Sequence, residues 1–446
     1  MIRRGLFYLK KKGERMEFIS SFLYLIILAN TIGAVITVFR EPREIAATWG
    51  WLIVLIMLPI IGFIIYFFFG RRIRKKRIFN MKSQETVGLQ ELVEQQQRDL
   101  ERTKEKIGAP KFQFKNEYQE DLASFFLETD DAIITENNEV TLYVSGEDKF
   151  TQLKADIEQA KHHIHLQYYI FNDDTIGHEI MGLLIEKARE GIEVLVIYDA
   201  LGARKTRQGF WKKLHDAGGH TVPFFGYSLG FINWRINYRN HRKIVVIDGK
   251  IGYVGGFNIG DEYLGKGKLG YWRDTHLRIV GDAVYSLQSR FFIDWNAAVH
   301  EDKRREFIPE YFPMVESMGQ NTIQVVSTGP DASLQKIKLG LIKMISMAKK
   351  SVWIQTPYFI PDESVQEALS IAALSGVDVR IMIPSKPDHP IVYRATEFYA
   401  SQIIQSGVKV YVYQNGFLHA KTMIVDGELV TVGTSNFDMR SFRLNF

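Results

Sequence analysis

The sequence predicts an α/β fold in which an N-terminal hairpin of two transmembrane helices precedes two pseudo-symmetric α/β sandwich lobes with mixed sheets. Three observations support this prediction. Two long stretches near the N-terminus are almost free of charge. A strand–helix–strand pattern occurs twice in the globular part. One motif, a histidine with a lysine two residues later and an aspartate five residues after that, follows each copy of the pattern.

The composition is that of a large protein with a well-developed core. The chain has 446 residues, enough for two or three domains, and 46% of them are apolar. It contains no cysteine, which excludes disulfides and cysteine-ligated metal sites and suits a reducing compartment. The net charge of +5 is modest, and the globular part has no strongly basic groove of the kind that binds nucleic acid.

The two apolar stretches, residues 17–39 and 49–69, are each long enough to cross about 30 Å of hydrocarbon as a helix. A signal peptide followed by a buried helix is the alternative. The first stretch is too long for a signal peptide and lacks a clear cleavage site, and the second is too uniformly apolar for a soluble helix. Basic residues lie before the first stretch and after the second, so the positive-inside rule places both ends, and the lobes, in the cytoplasm. The basic run after the second stretch is also expected to attract anionic lipid headgroups.

Composition and repeats give the predicted domain boundaries. We expect a basic cytoplasmic N-terminus at 1–16, two transmembrane helices within 17–70, a basic and charged linker at 71–118, a first lobe at 119–315 and a second at 316–446. The linker should be a solvated helix or a mobile tether. In each lobe a glycine, Gly191 or Gly376, ends the helix ahead of a β-branched strand.

The paired motifs carry the predicted chemistry. In each, an apolar run, an Asp-Gly pair and a second apolar run indicate a β-hairpin. Residues two apart on a strand share a face, so the histidine and lysine should point together. Two such motifs inside a larger repeat, each followed by small residues and an asparagine, are not plausibly chance. The motif residues are His241, Lys243 and Asp248 in the first copy and His419, Lys421 and Asp426 in the second.

This set of residues suits phosphoryl transfer. A neutral imidazole can attack phosphorus and form a phosphohistidine, and a second, protonated imidazole can give its proton to the leaving alkoxide. The lysines, with Asn258 and Asn436, can hold the phosphate oxygens, and the strands bring Gln167 and Gln355 towards the same cleft. Because the lysines supply positive charge, no metal or other cofactor is required. A His/carboxylate metal site is the competing interpretation, but lysine two residues after each histidine is a poor ligand.

Asp274 is the predicted orienting acid, accepting the ring N–H of His241. An ordinary ion pair with Arg273 or Arg278 is the alternative. The sequence "HHIH" at 162–165 suggests metal binding, but we expect no carboxylate near it and interpret it as a strand that leads to Gln167 and Tyr168.

With these motifs the sequence resembles the phospholipase D superfamily and, within it, the bacterial cardiolipin synthases. Further segments carry the resemblance, namely "YYIFNDD" (168–174), "YWRDTHLRI" (271–279), "TPYFIPD" (356–362) and "NFDMRSFRLNF" (436–446). It implies two phospholipase D-like lobes and transfer of a phosphatidyl group from one phosphatidylglycerol to another, with release of glycerol. It also implies phospholipid biosynthesis at the bacterial plasma membrane, with phosphatidylglycerol and anionic lipids as partners and no nucleic acid. Of the six motif residues, all carried over as catalytic, we expect His241 to be the nucleophile and His419 the acid.

Three alternatives stay open at this point: a membrane-bound phospholipase D hydrolase, a phosphatidyl transferase with another acceptor, and an inactive scaffold homologue. Oligomeric state and acyl-chain preference cannot be derived from the sequence. The family continues beyond "RLNF" with an acidic residue, a strand and a helix, whereas this sequence stops at Phe446. We therefore expect His419 to lack its acid and the chain to have low activity or poor stability. Equal turnover by a C-terminally extended chain would contradict that expectation.

Overall fold

A computed structural model of the chain describes residues 20–22, 24–33, 35–36, 38–39, 45–58, 61–66, 70, 89–105, 111–112, 114–226, 237–316, 319–332 and 334–446. It divides into two compact units. The smaller comprises residues 1–73 with 232–237, and the larger comprises 74–231 with 238–446.

The smaller unit contains helices α1 (Ile45–Met57) and α2 (Ile61–Ile65). Its buried side chains include Leu55 and Tyr66, and the Asn30 side-chain amide donates to the Leu55 carbonyl over 2.7 Å. Among the described residues, no helix has both the length and the apolar character needed to cross a membrane. The predicted spans at 17–39 and 49–69 fall partly outside the described residues.

The larger unit begins with α3 (Leu89–Lys104) and α4 (Glu117–Asp130). Helix α3 lies in the predicted linker, but one of its faces is buried. Val93 and Leu100 pack into an apolar cluster, and the buried Gln96 side chain exchanges two hydrogen bonds, of 2.9 and 2.8 Å, with the backbone of Ile134. Residues 89–104 therefore form a helix that is packed along one face and exposed elsewhere, and not a mobile tether.

The first lobe is built on an eight-stranded mixed sheet in the order β4-β3-β2-β5-β6-β8-β1-β9. Strands β2, β3 and β4 are parallel, and every other neighbouring pair is antiparallel. The strands are β1 (Thr135–Tyr143), β2 (His163–Tyr168), β3 (Glu193–Asp199), β4 (His220–Phe224), β5 (Ile244–Ile247), β6 (Ile251–Gly255), β8 (His276–Gly281) and β9 (Asn321–Ile323), with a short β7 (Trp272–Arg273) outside this sheet. The helices are α5 (Gly146–Glu158), α6 (Thr175–Arg189), α7 (Gln208–Asp216) and α8 (Ala283–Ala298).

The second lobe is built on a five-stranded sheet in the order β13-β12-β10-β15-β16. Its strands are β10 (Ser351–Gln355), β12 (Asp378–Pro384), β13 (Lys409–Tyr413), β15 (Thr422–Val425) and β16 (Leu429–Val432), with three short strands outside the sheet, β11 (Phe359–Ile360), β14 (Phe417–Leu418) and β17 (Phe437–Asp438). The helices are α9 (Lys336–Met347), α10 (Glu363–Leu374), α11 (Pro390–Ile403) and α12 (Met439–Arg443). Single 3-10 turns lie at Asp261–Leu264, Glu301–Lys303, Pro309–Tyr311 and Ile404–Ser406.

The repeat seen in the sequence is a repeat of structure. The order β13-β12-β10-β15-β16 has the same pairing directions as β4-β3-β2-β5-β6 in the first lobe. Gly191 and Gly376 both adopt positive φ, 86° and 92°, where each helix turns into its following strand. The fold is thus two mixed-sheet α/β lobes. The boundary between them differs from the prediction, because β9 lies beyond 315/316 and still belongs to the first lobe's sheet.

Two short strand pairings between the lobes lie close to the motifs. Strand β14 pairs in parallel with β7, and Asn445 forms a parallel bridge with Arg239. Residues 272–273 precede Asp274, and residues 417–418 precede His419. The first pairing therefore brings Asp274 of one lobe alongside His419 of the other. The second places Asn445 beside Arg239, two residues before His241.

Candidate active site

Both motifs lie immediately before a central strand. Residues 241–243 have no regular structure ahead of β5, and residues 419–421 have none between β14 and β15. In each motif the lysine side chain turns back to the histidine of the same motif. Lys243 Nζ donates to the His241 carbonyl over 2.6 Å, and Lys421 Nζ donates to the His419 carbonyl. The prediction that each histidine and lysine lie on a strand is therefore wrong, because the strands start one residue after each lysine.

The contacts between the lobes fix the backbone of both histidines. The His419 N–H donates to the Arg273 carbonyl over 2.8 Å, and the His241 N–H donates to the Phe446 carbonyl over 3.0 Å. Each histidine is thus positioned by backbone of the opposite lobe. The two motifs meet at one cleft because these pairings are related by the pseudo-symmetry of the repeat.

Asp274 orients His419, not His241. Its Oδ2 lies 2.5 Å from His419 Nδ1, and its Oδ1 accepts the Thr275 N–H over 2.7 Å. The carboxylate is fully buried, and Gly256 leaves room for it, since a Cβ at that glycine would lie 2.0 Å from Asp274 Oδ1. The acid of the first lobe therefore serves the histidine of the second. This corrects both the predicted pairing with His241 and the expectation that His419 lacks an acid.

His241 has a backbone partner instead. Its Nδ1 lies 3.0 Å from the carbonyl oxygen of Thr434, a residue that the sequence suggested only as one of several small ones. A carbonyl can only accept, so this bond places the ring hydrogen on Nδ1 and leaves Nε2 with a lone pair. The two imidazoles thus differ chemically, one held by a neutral acceptor and the other by a carboxylate.

Aromatic rings pack against both imidazoles. The Tyr169 ring centroid is 4.9 Å from that of His241, and Lys243 Nζ lies 5.4 Å from the Tyr169 centroid. Trp272 and Tyr263 lie 5.3 and 5.8 Å from His419. These contacts restrict the rotation of both rings and exclude water from their apolar faces.

Burial and like charges lower the pKa values of the motif residues. Burial, and then Lys243 and Lys421, hold the pKa of His241 well below its usual value. Burial and Lys421 lower the pKa of His419 to about 4, although Asp274 opposes the shift. Burial lowers the pKa of Lys421 to about 8 and that of Lys243 well below its usual value. A site that crowds cationic groups in this way favours an anionic ligand, whose charge would reverse these shifts.

A cavity of about 600 Å³ reaches the motifs from one side. Its polar lining residues include His241, Lys421 and Ser435, together with Arg242 and Arg290. Most of its remaining wall is apolar, including Leu277 on β8 and Leu341 on α9. Among the residues that the structure describes, no group of three or more histidine, aspartate and glutamate side chains could hold a metal ion.

Comparison with known proteins identifies the family. The family described as "Cardiolipin synthase, PLD-like domain" matches residues 153–268 and 341–446. A cardiolipin synthase from Listeria welshimeri is 51% identical over 97% of this chain and 89% of its own length. The major cardiolipin synthase of Bacillus subtilis is 49% identical over the same shares. The chain belongs to the cardiolipin synthase family. It is accordingly a phosphatidyltransferase of the phospholipase D superfamily, in the pathway of phospholipid biosynthesis.

A solved structure supports the fold of this cardiolipin synthase family member. The crystal structure of phosphatidylserine synthase from Haemophilus influenzae matches with a TM-score of 0.52 and 16% identity, over 73% of this chain and 85% of that one. A second family, described as "Phospholipase_D-nuclease N-terminal", matches residues 30–71.

The motif aspartates are not brought to the histidines. Asp248 Oδ1 and Oδ2 accept the backbone N–H groups of residues 161–163 over 2.8–3.2 Å. Asp426 accepts those of residues 349–351 over 2.7–2.8 Å. Both adopt positive φ, 53° and 56°, in the hairpin turn at the far end of the strand from the imidazole. The prediction that both aspartates act beside the histidines is therefore wrong. Their carboxylates bind the hairpin turn to the start of the neighbouring strand.

The side-chain amides that the sequence assigns to the phosphate site form most of their hydrogen bonds within the protein. Asn258 accepts the Ile170 N–H over 3.2 Å and donates to the Tyr263 hydroxyl over 2.7 Å, which places Tyr263 against His419. Asn436 donates to Asp438 over 3.3 Å, and its buried Oδ1 has no protein partner among the described residues. Thr422 donates to Gln355 over 3.3 Å.

Gln167 leads to a buried ion pair that the sequence did not reveal. Its amide donates over 2.5 Å to Asp294, which also accepts from Asn240 (3.2 Å) and Arg242 (2.7 Å). Asn240 and Arg242 flank His241, so Asp294 holds the side chains on both sides of this imidazole. Arg242 inside "HRK" is the one available signal, and the second motif has Ala420 in its place.

The "HHIH" strand does have a carboxylate beside it, contrary to expectation. His165 Nε2 lies 3.1 Å from Glu193, the first residue of the neighbouring β3. Tyr168 faces away from Gln167 and accepts from the buried Lys149 over 3.0 Å. His276 is fully buried, and neither ring nitrogen has a partner among the described residues.

Proposed function

We propose that the chain joins two phosphatidylglycerol molecules into cardiolipin through a phosphohistidine, with His241 as nucleophile and His419 as general acid and base. The observation that carries this assignment is the difference between the two ring partners. The Thr434 carbonyl fixes the Nδ1–H tautomer of His241, which burial and the neighbouring lysines keep neutral, so that Nε2 has a free lone pair. The Asp274 carboxylate favours the protonated form of His419.

In the first step, His241 Nε2 attacks the phosphorus of one phosphatidylglycerol. The bond from phosphorus to the headgroup oxygen breaks, and protonated His419 gives its proton to that oxygen, so that glycerol leaves. Burial and the neighbouring Lys421 disfavour the charge on His419. The bound phosphodiester, together with Asp274, supplies the negative charge that allows His419 to hold a proton.

In the second step, neutral His419 takes the proton from a glycerol hydroxyl of a second phosphatidylglycerol. The resulting alkoxide attacks phosphorus, the bond from phosphorus to His241 Nε2 breaks, and cardiolipin leaves. Both imidazoles return to their starting protonation states. Lys243 and Lys421 lie at the motif histidines and stabilise the negative charge that grows on the phosphoryl oxygens in each step.

The choice of an alcohol over water as acceptor follows, in this proposal, from the apolar wall of the cavity. A mostly apolar cleft disfavours water and suits a lipid acceptor. The proposed partners are phosphatidylglycerol, which is the substrate, and anionic membrane lipids, with no nucleic acid.

We further propose a multi-pass protein of the bacterial plasma membrane, with two spans within 17–70, a basic linker at 71–118 and cytoplasmic lobes. The match of residues 30–71 to an N-terminal family module supports this arrangement, as do the basic residues on both sides of the apolar stretches.

Product analysis tests the proposed function. Full-length protein in proteoliposomes receives phosphatidylglycerol, labelled in both the acyl chains and the headgroup, as the only anionic lipid. Cardiolipin and free glycerol should appear in a 1:1 ratio. His241→Ala should abolish both products, and His215→Ala, a change on α7 away from the motifs, should leave them unchanged. Phosphatidic acid in place of cardiolipin would overturn the proposal in favour of a hydrolase.

A further inference from the structure

We propose that the edge of the active-site cleft carries a docking surface for an anionic lipid bilayer, centred on Ile391 and Phe398 of α11. This inference rests on the proposed function, because it assumes that both substrates are membrane lipids. It adds a specific surface of the lobes through which the cleft meets the bilayer. We call the exposed residues of this surface the rim patch, and they are Lys386, Ile391, Arg394, Phe398, Met439 and Arg440.

The first step of the argument is position. In each lobe the parallel strands end beside the motif. Asp199, the last residue of β3, accepts the Asn240 N–H over 2.9 Å, directly before His241. In the second lobe Gln355, the last residue of β10, pairs with Thr422, directly after Lys421. The loop 385–389 follows the corresponding end of β12 and leads into α11, so the start of α11 lies at the edge of the cleft.

Two hydrogen bonds fix α11 to this edge. The Phe359 N–H donates to the Thr396 hydroxyl over 3.2 Å, and Phe359 pairs with Phe437, the residue after Asn436. The Tyr393 hydroxyl donates to the Ser385 carbonyl over 3.1 Å, which holds the loop against the helix. The rim patch is therefore rigidly linked to the motif that contains His419.

The second step is the exposure of large apolar side chains on one helix face. Ile391 is 86% exposed and Phe398 is 56% exposed. They are seven residues apart and therefore lie on the same face, opposite the buried Thr396, Ala400 and Ile403. An isolated exposed apolar residue is ordinary. Two on one face of a helix beside a cleft that binds lipids are typical of a helix that lies at the membrane interface.

The third step is charge. Lys386 and Arg394 are exposed on the loop and helix that carry the apolar pair, Arg440 is exposed on the segment that follows Phe437, and Glu397 pairs with Arg394 over 2.6 Å. Across the cleft, the loop after β3 exposes three further basic residues, Arg204, Lys205 and Arg207. A surface with apolar tips and a basic border complements a bilayer rich in phosphatidylglycerol better than it complements a zwitterionic bilayer or an acidic protein.

The absence of cysteine from the chain allows a direct test. Ile391→Cys and Phe398→Cys each accept one environment-sensitive fluorophore. Leu374→Cys is the matched control, because Leu374 is also highly exposed (75%) but lies at the end of α10 that leads into the opposite end of β12. Each labelled full-length protein is reconstituted in liposomes of phosphatidylglycerol and phosphatidylcholine that contain a lipid-attached nitroxide quencher.

We expect the labels at 391 and 398 to be quenched at least about twofold more than the label at 374, and this difference to shrink in liposomes of phosphatidylcholine alone. Equal quenching at all three positions would overturn the proposal, and so would a difference that does not depend on phosphatidylglycerol. Cardiolipin formation is measured on the same liposomes. Product without preferential quenching refutes the docking surface alone, whereas preferential quenching without product refutes the proposed function alone.

Discussion

Replacing Asp274 with asparagine tests the role of the acid that crosses between the lobes. The substitution keeps the shape of the side chain but removes the charge that faces His419 Nδ1 at 2.5 Å. A hydrogen bond to a charged group contributes about 1.5–3 kcal/mol, which corresponds to a rate loss of roughly 10- to 150-fold. An amide can also present its N–H to the ring and select the wrong tautomer, which in a comparable Asp–His pair lowers kcat about 10⁴-fold. We therefore expect kcat for Asp274→Asn to fall by about 10²- to 10⁴-fold.

The assay is cardiolipin formation in proteoliposomes across a range of pH. Asp274 raises the pKa of His419 against the effect of burial, so its loss should move the alkaline limb of kcat, which reports the enzyme–substrate complex, to lower pH. The matched control is Asp156→Asn, which breaks another buried carboxylate cluster, with Arg278 and Tyr253, that does not contact His419. That variant should lose thermal stability and keep its kcat. An Asp274→Asn enzyme with unchanged kcat, or with a lower kcat and an unshifted pH profile, would refute the reasoning.

Three further predictions use other features of the site. Gly256→Ala should lower kcat towards that of Asp274→Asn, because its Cβ would lie 2.0 Å from the carboxylate, while Gly182→Ala, with no atom within 4 Å, should be neutral in the same assay. Asp248→Ala should lower the midpoint of thermal unfolding, at a cost of about 1–3 kcal/mol for its unpaired amides, and leave the pH profile of the folded enzyme unchanged; a shifted profile would indicate a catalytic role. The pKa of Lys421 is about 8, so kcat/KM should decline as pH rises through that value, and Lys421→Arg, which keeps its charge, should lack this decline; an identical decline would exclude Lys421 as its cause.

The sequence revealed those parts of the site that occur in both copies of the internal repeat. Both lobes, the strand–helix–strand succession in each and the two His–Lys pairs could be predicted because the repeat makes each copy a check on the other. The pairing of Asp274 could not be predicted, since the hydrogen bond joins residues of different lobes and depends on how β7 meets β14. The structural role of Asp248 was hidden for another reason. A turn carboxylate that binds three backbone N–H groups has the same sequence signature as a catalytic one.

The most direct test of the central claim is to locate the covalent intermediate. The substrate is a phosphatidyl ester of p-nitrophenol, whose leaving group needs no proton, so the first step can proceed without the acid. In the His419→Ala enzyme we expect p-nitrophenol to be released in a burst, and mass spectrometry of an alkaline digest should place the phosphatidyl group on His241. An adduct on His419 in the His241→Ala enzyme, with none on His241 in the His419→Ala enzyme, would contradict the account.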